Sequence, residues 1–190
     1  MTTELDRETD IVDLLIEDHQ VLRLMFDRFD ESMDTHQRER LFRELTTALV
    51  QHEVAEEVTV YPVLRKLGET GDAQADARIR EQAAVEELLR SMEQLDVMSE
   101  EFTAGFRELT AAALGHAGQE ESVAFPYLTG ATTPAERAQM ARRYERALPS
   151  APSHPHPSAP DTPPGNRVVA PVLALADRVR DAFRSPDDAA

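Results

Sequence analysis

Apolar residues recur every three or four positions in four long segments of the chain, which is the spacing of amphipathic α-helices. A turn is predicted at residues 68–72 (Gly-Glu-Thr-Gly-Asp), between the second segment and the third. Because short connections favour antiparallel neighbours, the pattern predicts an all-α fold, an antiparallel four-helix bundle. The four predicted helices cover about residues 9–33, 37–66, 75–98 and 101–128.

Prolines mark where the predicted helices end or bend. Pro62 and Pro126 fall near the ends of the second and fourth helices, where a proline would end or kink the last turn. A short fifth helix is predicted over residues 134–148, with Thr133 as its N-cap and Pro134 at its first position.

The composition changes after residue 148, where the predicted bundle domain (residues 1–148) ends. Residues 149–167 are rich in proline, which predicts an extended linker without a core of its own. Residues 168–190 follow as a C-terminal segment, and their apolar positions predict an amphipathic helix over 168–183. We expect this helix to dock on the bundle or on a second subunit, so a homo-oligomer could form through it.

The chain is acidic, because 36 Asp and Glu residues against 20 Lys and Arg residues give a formal net charge of −16. This charge disfavours binding to nucleic acid or to an anionic membrane surface. The absence of cysteine excludes disulfides, zinc ribbons and iron–sulfur clusters. The N-terminal residues show no basic region followed by an apolar run, and no stretch approaches about 18 uninterrupted apolar residues. We therefore expect a soluble cytoplasmic protein.

One motif occurs twice in the chain, 64 residues apart. It reads His, three residues, Glu-Glu, three residues, an aromatic residue and proline, over residues 52–62 and 116–126. In a helix, positions i and i+4 lie one turn apart on one face, so His52 should lie over Glu56 and His116 over Glu120. Each copy therefore presents one imidazole and one carboxylate in the same direction.

A third histidine extends the repeat. His19 lies on the apolar stripe of the first predicted helix, and 63 residues later Gln82 occupies the same place in the third. Helices one and two therefore look like a copy of helices three and four, and only the histidine is missing from the third.

These residues fall at positions where the helical period requires apolar side chains. Burial of an unpaired carboxylate is costly, so such groups must be paired, protonated or bound to a cation. Imidazole and carboxylate ligands without thiolate suit iron or manganese, and zinc less specifically. Two carboxylates that can bridge suggest two ions rather than one. The candidate ligands are His19, His52, Glu56, His116 and Glu120.

An alternative is that each histidine is an ordinary core residue, bonded to the glutamate of its own helix. A duplicated motif together with an in-phase third histidine makes the metal site the stronger interpretation. Glu57 and Glu121 each follow a proposed ligand by one residue. They are predicted to point away from the core, as surface residues or as partners of the ligands.

The arrangement resembles the hemerythrin-like HHE cation-binding family, over about residues 9–130. The pattern of that family is a His on helix one, His-x3-Glu on helix two, a His on helix three and His-x3-Glu or Asp on helix four. His19, His52 with Glu56, and His116 with Glu120 match it. The resemblance implies a four-helix bundle that holds two iron ions bridged by oxo or hydroxo, with dioxygen, peroxide or nitric oxide as small ligands.

Gln82 stands where that family usually has its third-helix histidine. An amide oxygen is a poor substitute for imidazole on iron, so Glu81 or Glu86 could complete the shell instead. More carboxylate ligands would favour ferric iron and disfavour reversible oxygen binding. Alternatively, Gln82 hydrogen-bonds a bound water and leaves a position where peroxide could bind, or only one ion binds.

The resemblance therefore implies a non-haem di-iron protein that acts in oxygen, peroxide or iron handling. Two alternatives stay open. One is an enzyme that decomposes peroxide at the iron, as a catalase or peroxidase does, and the other is a metal-poor helical interaction module, which only Gln82 favours. The sequence names no organic substrate or electron donor.

Overall fold

The computed structural model describes residues 9–32 and 34–148, and helices make up almost all of this part of the chain, in which no β-strand occurs. A 3-10 turn, Arg65–Leu67, precedes the fourth helix, and a π-helical turn, Glu120–Ala124, separates the fifth from the sixth. The α-helices in these residues are α1 Ile11–Glu31, α2 Thr35–Thr59, α3 Tyr61–Leu64, α4 Glu69–Met92, α5 Glu100–Gln119, α6 Phe125–Ala131 and α7 Pro134–Ala147.

Helices α1, α2, α4 and α5 form a four-helix bundle, so the predicted fold class is confirmed. Contacts join α1 to α2, α2 to α4, α4 to α5 and α5 to α1, which closes the ring of four. Helix α7 packs against α1 and α2.

Short polar side chains cap α1, α2, α5 and α7, whereas α4 follows Gly68, which has no side chain to cap it. Each N-cap side chain accepts a hydrogen bond from a backbone N–H of the first turn, which would otherwise lack a partner. Thr133 caps α7 as predicted, and it forms a reciprocal capping box with Glu136. The N-cap residues with this bond are Asp10, Asp34, Ser99 and Thr133.

The predicted turn at residues 68–72 is wrong except at its first position. Gly68 has φ 91°, which favours glycine, and α4 begins at the next residue. The acidic residues Glu69 and Asp72 lie in the first turn of α4, where the helix dipole favours negative charge. Gly71 is helical and packs against the preceding segment, because a Cβ there would lie 2.1 Å from the carbonyl oxygen of Leu64. Helix α4 also ends at Met92, earlier than the predicted residue 98.

The fourth predicted helix is interrupted by the π-helical turn. The N–H of Phe125 bonds to the carbonyl of Glu120, five residues earlier. Pro126 has no N–H, so the wider turn accommodates a residue that cannot continue the α-helical pattern. The corresponding break in the first copy of the motif lies at Val60, between α2 and α3, two residues before Pro62.

Two apolar clusters fill the bundle, one on each side of a buried polar layer. One cluster contains Phe26, Phe29, Phe42, Phe102 and Phe106 among others, and the second is built around Leu15, Tyr61, Leu64, Phe125 and Tyr144. Along α1, α2 and α4, buried polar positions separate the residues of the two clusters, and α5 reaches the second cluster through the π-helical turn and α6 that continue it. The chain therefore crosses the same layer four times.

Residues 1–8, Met33 and 149–190 lie outside the described part of the chain. The predicted linker over 149–167 and the predicted helix over 168–183 fall there, so they and the domain boundaries stay predictions. Among the residues that the structure describes, no helix is long and apolar enough to cross a membrane.

Candidate metal centre

The polar layer consists of one residue from each bundle helix and two glutamates one turn further on. His19 of α1, His52 of α2, Gln82 of α4 and His116 of α5 are all buried. Glu56 and Glu120 have no exposed surface at all. Helical spacing places each glutamate on the same face as the histidine four residues before it.

Four of these residues form a tight group. His19, His52, Glu56 and Glu120 each offer one ligand atom, and these atoms all lie within 4.8 Å of one another. Glu120 Oε2 lies 3.3 Å from His19 Nε2, and Glu56 Oε1 lies 3.6 Å from His52 Nε2.

His116 meets the same two carboxylates. Its Nε2 lies 3.4 Å from Glu120 Oε2 and 3.9 Å from Glu56 Oε2. Glu56 thus turns one oxygen toward His52 and the other toward His116. The structure brings all five predicted ligand residues together, with both carboxylates shared among the three imidazoles.

Every imidazole of the layer is held by its outer nitrogen. His19 Nδ1 lies 2.9 Å from Glu121 Oε1, and His116 Nδ1 lies 3.0 Å from Glu81 Oε2. His52 Nδ1 lies 2.7 Å from the Tyr144 hydroxyl. This arrangement turns each Nε2 toward the carboxylates. Metal-binding histidines are commonly oriented by such a bond on the second nitrogen.

The inward atoms of the layer have no hydrogen-bond partners. Buried polar atoms are nearly always bonded, and leaving one unbonded costs about 1–3 kcal/mol. The histidine Nε2 atoms do not bond to the glutamates of their own helices, so the ordinary-core alternative leaves them unsatisfied. A cation would satisfy all of them, and the residues therefore fit a metal site. The unpartnered atoms are Nε2 of His19, His52 and His116, Oε1 of Glu56, Oε2 of Glu120 and Oε1 of Gln82.

The chain matches the Hemerythrin HHE cation binding domain family over residues 10–128. It belongs to this family. It is 30% identical to an uncharacterized hemerythrin-like protein of Schizosaccharomyces pombe over 174 residues, 91% of this chain and 86% of that protein. A DNA nickase of Nostoc sp. is 26% identical over 141 residues, 74% of this chain but only 40% of the nickase. No solved structure matches. Family membership and the buried histidine–glutamate cluster together support metal binding.

Gln82 lies within the cluster of this hemerythrin-like domain, at the position of the missing histidine. Its Nε2 donates to Glu56 Oε2 at 2.9 Å and to the Tyr61 hydroxyl at 2.7 Å. The two acidic neighbours considered for the shell lie further out. Glu81 contacts the outer nitrogen of His116 and is paired with Arg78, whereas Glu86 lies 3.6 Å from Arg90.

Tyr61 is a site residue that sequence reasoning missed. Its hydroxyl lies 2.8 Å from Glu120 Oε1 and 3.1 Å from Glu56 Oε2, between the two carboxylates. Burial and these two carboxylates raise the pKa of Tyr61 well above its usual value, so the hydroxyl keeps its proton. The sequence signal that could have identified Tyr61 is the aromatic position of the repeated motif. In the second copy of the motif this position is Phe125, which stacks on His19 with ring centroids 5.8 Å apart.

Glu53 is a second residue that was missed. It is 3% exposed, its Oε2 has no hydrogen-bond partner, and it follows His52 directly. Burial first, and then the nearby Glu86, raise the pKa of Glu53 well above its usual value, which favours the neutral carboxyl. The second copy of the motif has Ala117 at this position.

The charges of the layer compensate one another. Burial opposes ionisation of Glu120, but His116, His19 and His52 lower its pKa to about 2. Burial also opposes a cationic His116, yet Glu120, Glu56 and Glu81 raise its pKa well above the usual value. Burial opposes a cationic His52 in the same way, but Glu56, Asp18 and Glu120 raise its pKa above the usual value. Without a metal ion, a proton on His116 offsets the buried charge of Glu120.

A small cavity adjoins the three histidines. Its volume is about 20 Å³, enough for one water-sized molecule. Glu53 and the three imidazoles form its polar part, and the rest is apolar. The lining residues are His19, Leu22, Phe26, Leu49, His52, Glu53, Ala113, Leu114, His116 and Ala117.

Proposed function

We propose that the chain is a non-haem di-iron protein that acts on dioxygen, peroxide or nitric oxide, or in iron handling. The main support is that three imidazoles and two carboxylates turn buried atoms without hydrogen-bond partners toward one another. His19 and His52 would hold one ion, His116 would hold the other, and Glu56 and Glu120 would serve both. Gln82 Oε1 is a further unpartnered oxygen of the layer, and the Gln82 amide bonds to Glu56 Oε2, the oxygen that Glu56 turns toward His116.

The donor set favours iron. It contains imidazole and carboxylate but no thiolate, a combination that suits iron or manganese better than zinc. When bound, iron would supply the redox chemistry toward dioxygen, peroxide or nitric oxide. The chain itself would supply the ligands, an apolar cavity and control of protons.

The cavity supports a small ligand. It has space for about one small molecule, and the side chains of Leu22, Phe26 and Leu49 give it an apolar wall. An organic substrate would not fit. Dioxygen, peroxide and nitric oxide are all of suitable size, so the cavity supports this class without separating its members.

A second candidate function is the disproportionation of hydrogen peroxide to water and oxygen, two peroxides giving two waters and one oxygen. Two buried side chains whose raised pKa values favour their protonated forms, Glu53 and Tyr61, adjoin the site and favour this function. A neutral carboxylic acid and a phenol are both able to donate a proton to a reacting oxygen atom.

Metal analysis of the protein as isolated, with an ultraviolet–visible spectrum, tests the first proposal. We expect iron at closer to two ions per chain than one, and neither manganese nor zinc in comparable amount. His52→Ala and His116→Ala should lose most of the iron, whereas His36→Ala should lose none, because His36 is exposed on α2. A native chain that stays metal-free after anaerobic iron loading, yet is fully folded, would contradict the proposal.

Oxygen evolution from peroxide separates the two candidates. An enzyme evolves oxygen in proportion to bound iron, and Glu53→Gln or Tyr61→Phe should slow it at unchanged iron content. Tyr127→Phe is a matched control, because the Tyr127 hydroxyl donates to the carbonyl of Leu67 instead of to a carboxylate of the site. Iron-loaded protein that evolves no oxygen would leave binding or sensing as the function.

The nicking activity in the name of the Nostoc relative is not part of the proposal. The alignment covers 40% of that protein. The net charge of −16 opposes contact with DNA phosphates.

A further inference from the structure

Helix α7 reaches the cluster although it lies outside the family-matched residues 10–128. Tyr144 on this helix is 1% exposed, and its hydroxyl lies 2.7 Å from His52 Nδ1. The same hydroxyl donates to Asp18 Oδ2 at 2.7 Å. A single phenol therefore joins α7 to both α1 and α2 beside the proposed ligands.

The direction of these bonds determines the form of the imidazole. A hydroxyl has one hydrogen, and that of Tyr144 is given to Asp18. The Tyr144 oxygen can then only accept from His52, so the hydrogen of the neutral ring is on Nδ1. Nε2 is left with its lone pair free, 3.6 Å from Glu56 Oε1. This is the form in which imidazole binds a metal.

His52 differs in this respect from the other two histidines. His19 and His116 are held by the carboxylates of Glu121 and Glu81, each of which is paired with an arginine. His52 is held by an uncharged phenol instead, and the nearest carboxylate to its outer nitrogen, Asp18, lies 3.7 Å away.

Helix α7 is attached at a second point, which keeps Tyr144 in place. Arg137 lies seven residues before Tyr144, about two turns away on the same face. Its Nε donates to Asp10 Oδ2 at 2.6 Å, and its Nη1 donates to the carbonyl of Thr132 at 2.7 Å. Asp10 caps α1, the helix that also carries Asp18. The Tyr144 hydroxyl is therefore placed by the docking of a whole helix.

We propose that Tyr144, oriented by Asp18, is a positioning residue that holds His52 with its hydrogen on Nδ1 and its Nε2 available to metal. Helix α7 is then a functional part of the metal centre. The proposal rests on the metal site proposed above, and it adds a partner for His52 that lies beyond the family-matched segment.

Cobalt(II) titration of the full chain, followed by its absorption bands, tests the proposal in the metal-bound state. Loss of a bond to the outer nitrogen of a ligand typically weakens metal binding about 10–100-fold. We expect this loss for Tyr144→Phe, together with shifted bands. Tyr127→Phe removes the same group from a tyrosine away from the cluster and should titrate like the native chain. Identical titrations for both variants would overturn the proposal.

Nuclear magnetic resonance of the metal-free full chain, at a pH high enough for the His52 ring to be neutral, tests it without metal. The two-bond proton–nitrogen couplings of His52 report which nitrogen carries the hydrogen. We expect Nδ1–H in the native chain and a change of tautomer in Tyr144→Phe. An unchanged His52 ring would overturn the proposal whether or not metal binds, whereas a native chain that binds no metal would overturn the proposed function.

Asp18 provides variants in case Tyr144→Phe does not fold. Asp18 is half-buried, so its replacement creates no large cavity. In Asp18→Ala the Tyr144 hydrogen has no acceptor there and can turn to His52 Nδ1, so we expect the Nε2–H tautomer and weaker cobalt binding. Asp18→Asn keeps an acceptor oxygen and should restore both readouts. The same tautomer and the same cobalt affinity in the two variants would contradict the proposal that Asp18 orients the Tyr144 hydroxyl.

Discussion

Each imidazole of the cluster has its two nitrogens in different environments. The outer nitrogen has a bonded partner from another helix, and the inner nitrogen faces carboxylates without a bond. This difference decides how the site responds to protons. A proton on Nε2 and a metal ion compete for the same lone pair, so acid should release the metal.

The metal-free protein should lose stability on both sides of neutral pH. The pKa of His116 is raised above 6.5, so its contribution is present below pH 6.5 and is lost as pH rises through the raised value. The pKa of Glu120 is lowered from 4.5 to about 2, so its contribution is present above pH 4.5 and is lost as pH falls toward 2. Urea unfolding across pH measures both. We expect metal loading to remove the loss at high pH, and a metal-free stability that rises from pH 6.5 to 9 would contradict this.

Replacement of Gln82 by histidine should tighten metal binding. The amide of Gln82 donates to Glu56 and Tyr61, and only its weak Oε1 is available to a cation. An imidazole is a stronger ligand, so we expect an affinity gain of at least about 10–100-fold, measured by competition with a chelator. If peroxide binds at a metal coordination position that Gln82 leaves free, Gln82→His should also slow iron-dependent peroxide decomposition.

Stopped-flow mixing of reduced protein with oxygen adds a second readout for Gln82. We expect no long-lived oxygen adduct in the native protein. A stable adduct there, or equal peroxide kinetics in the native and Gln82→His proteins, would contradict the role proposed for Gln82.

At the scale of the elements, the π-helical turn Glu120–Ala124 lets two consecutive residues serve one histidine. His19 Nε2 lies 3.3 Å from Glu120 Oε2, while its Nδ1 lies 2.9 Å from Glu121 Oε1. A π-helical turn has more residues than an α-helical turn, so consecutive side chains diverge by a smaller angle, and the ring of His19 lies between Glu120 and Glu121. Glu121 was predicted to be either a surface residue or a partner of the ligands, and it is a partner of His19.

The junction before α4 depends on a glycine that cannot carry a side chain. A Cβ at Gly71 would lie 2.1 Å from the Leu64 carbonyl oxygen, so Gly71→Ala must shift α4 or the preceding turn. We expect a loss of about 1–3 kcal/mol in the free energy of unfolding, as for other overpacked sites. Gly115→Ala in α5 meets no atom within 4 Å and should stabilise the protein by roughly 0.5–1 kcal/mol. Equal effects in chemical denaturation would contradict the assigned packing.

At the scale of the whole molecule, the polar layer divides the apolar core into two clusters. Helices α1, α2 and α4 contribute to both clusters with buried polar residues between them, and α5 reaches the second cluster through the π-helical turn and α6 that continue it. A bound cation would therefore join all four helices at the middle of the bundle. Helix α7 covers one side of this arrangement and, through Tyr144, reaches the same layer.

Truncation after residue 148 should leave the metal site intact. Every proposed ligand lies before Ala124, and Tyr144 is retained in a chain of residues 1–148. We expect unchanged metal content and spectrum, whereas solubility or oligomeric state could change if the predicted helix at 168–183 makes contacts elsewhere. Loss of metal in this chain, measured by metal analysis, would show that residues 149–190 contribute to the site.

The local features of this protein were determined by its sequence. Helical periodicity is a property of the backbone over a few residues, so the four bundle helices and the shared face of His52 and Glu56 could be predicted. The in-phase His19 and Gln82 followed from the same period. Errors at the start and end of α4 arose because Gly-Glu-Thr-Gly-Asp resembles a turn, while tertiary packing lets α4 begin directly after Gly68.

Only the tertiary structure decided which groups complete the site. Tyr144 meets His52 across 92 residues of sequence, and Glu121 meets His19 across 102. No local period carries such contacts, because they depend on how helices pack and on which face α7 covers. For the same reason, Glu53 and Tyr61 became recognisable as buried acids of the site only when the cavity and the paired carboxylates were placed around them.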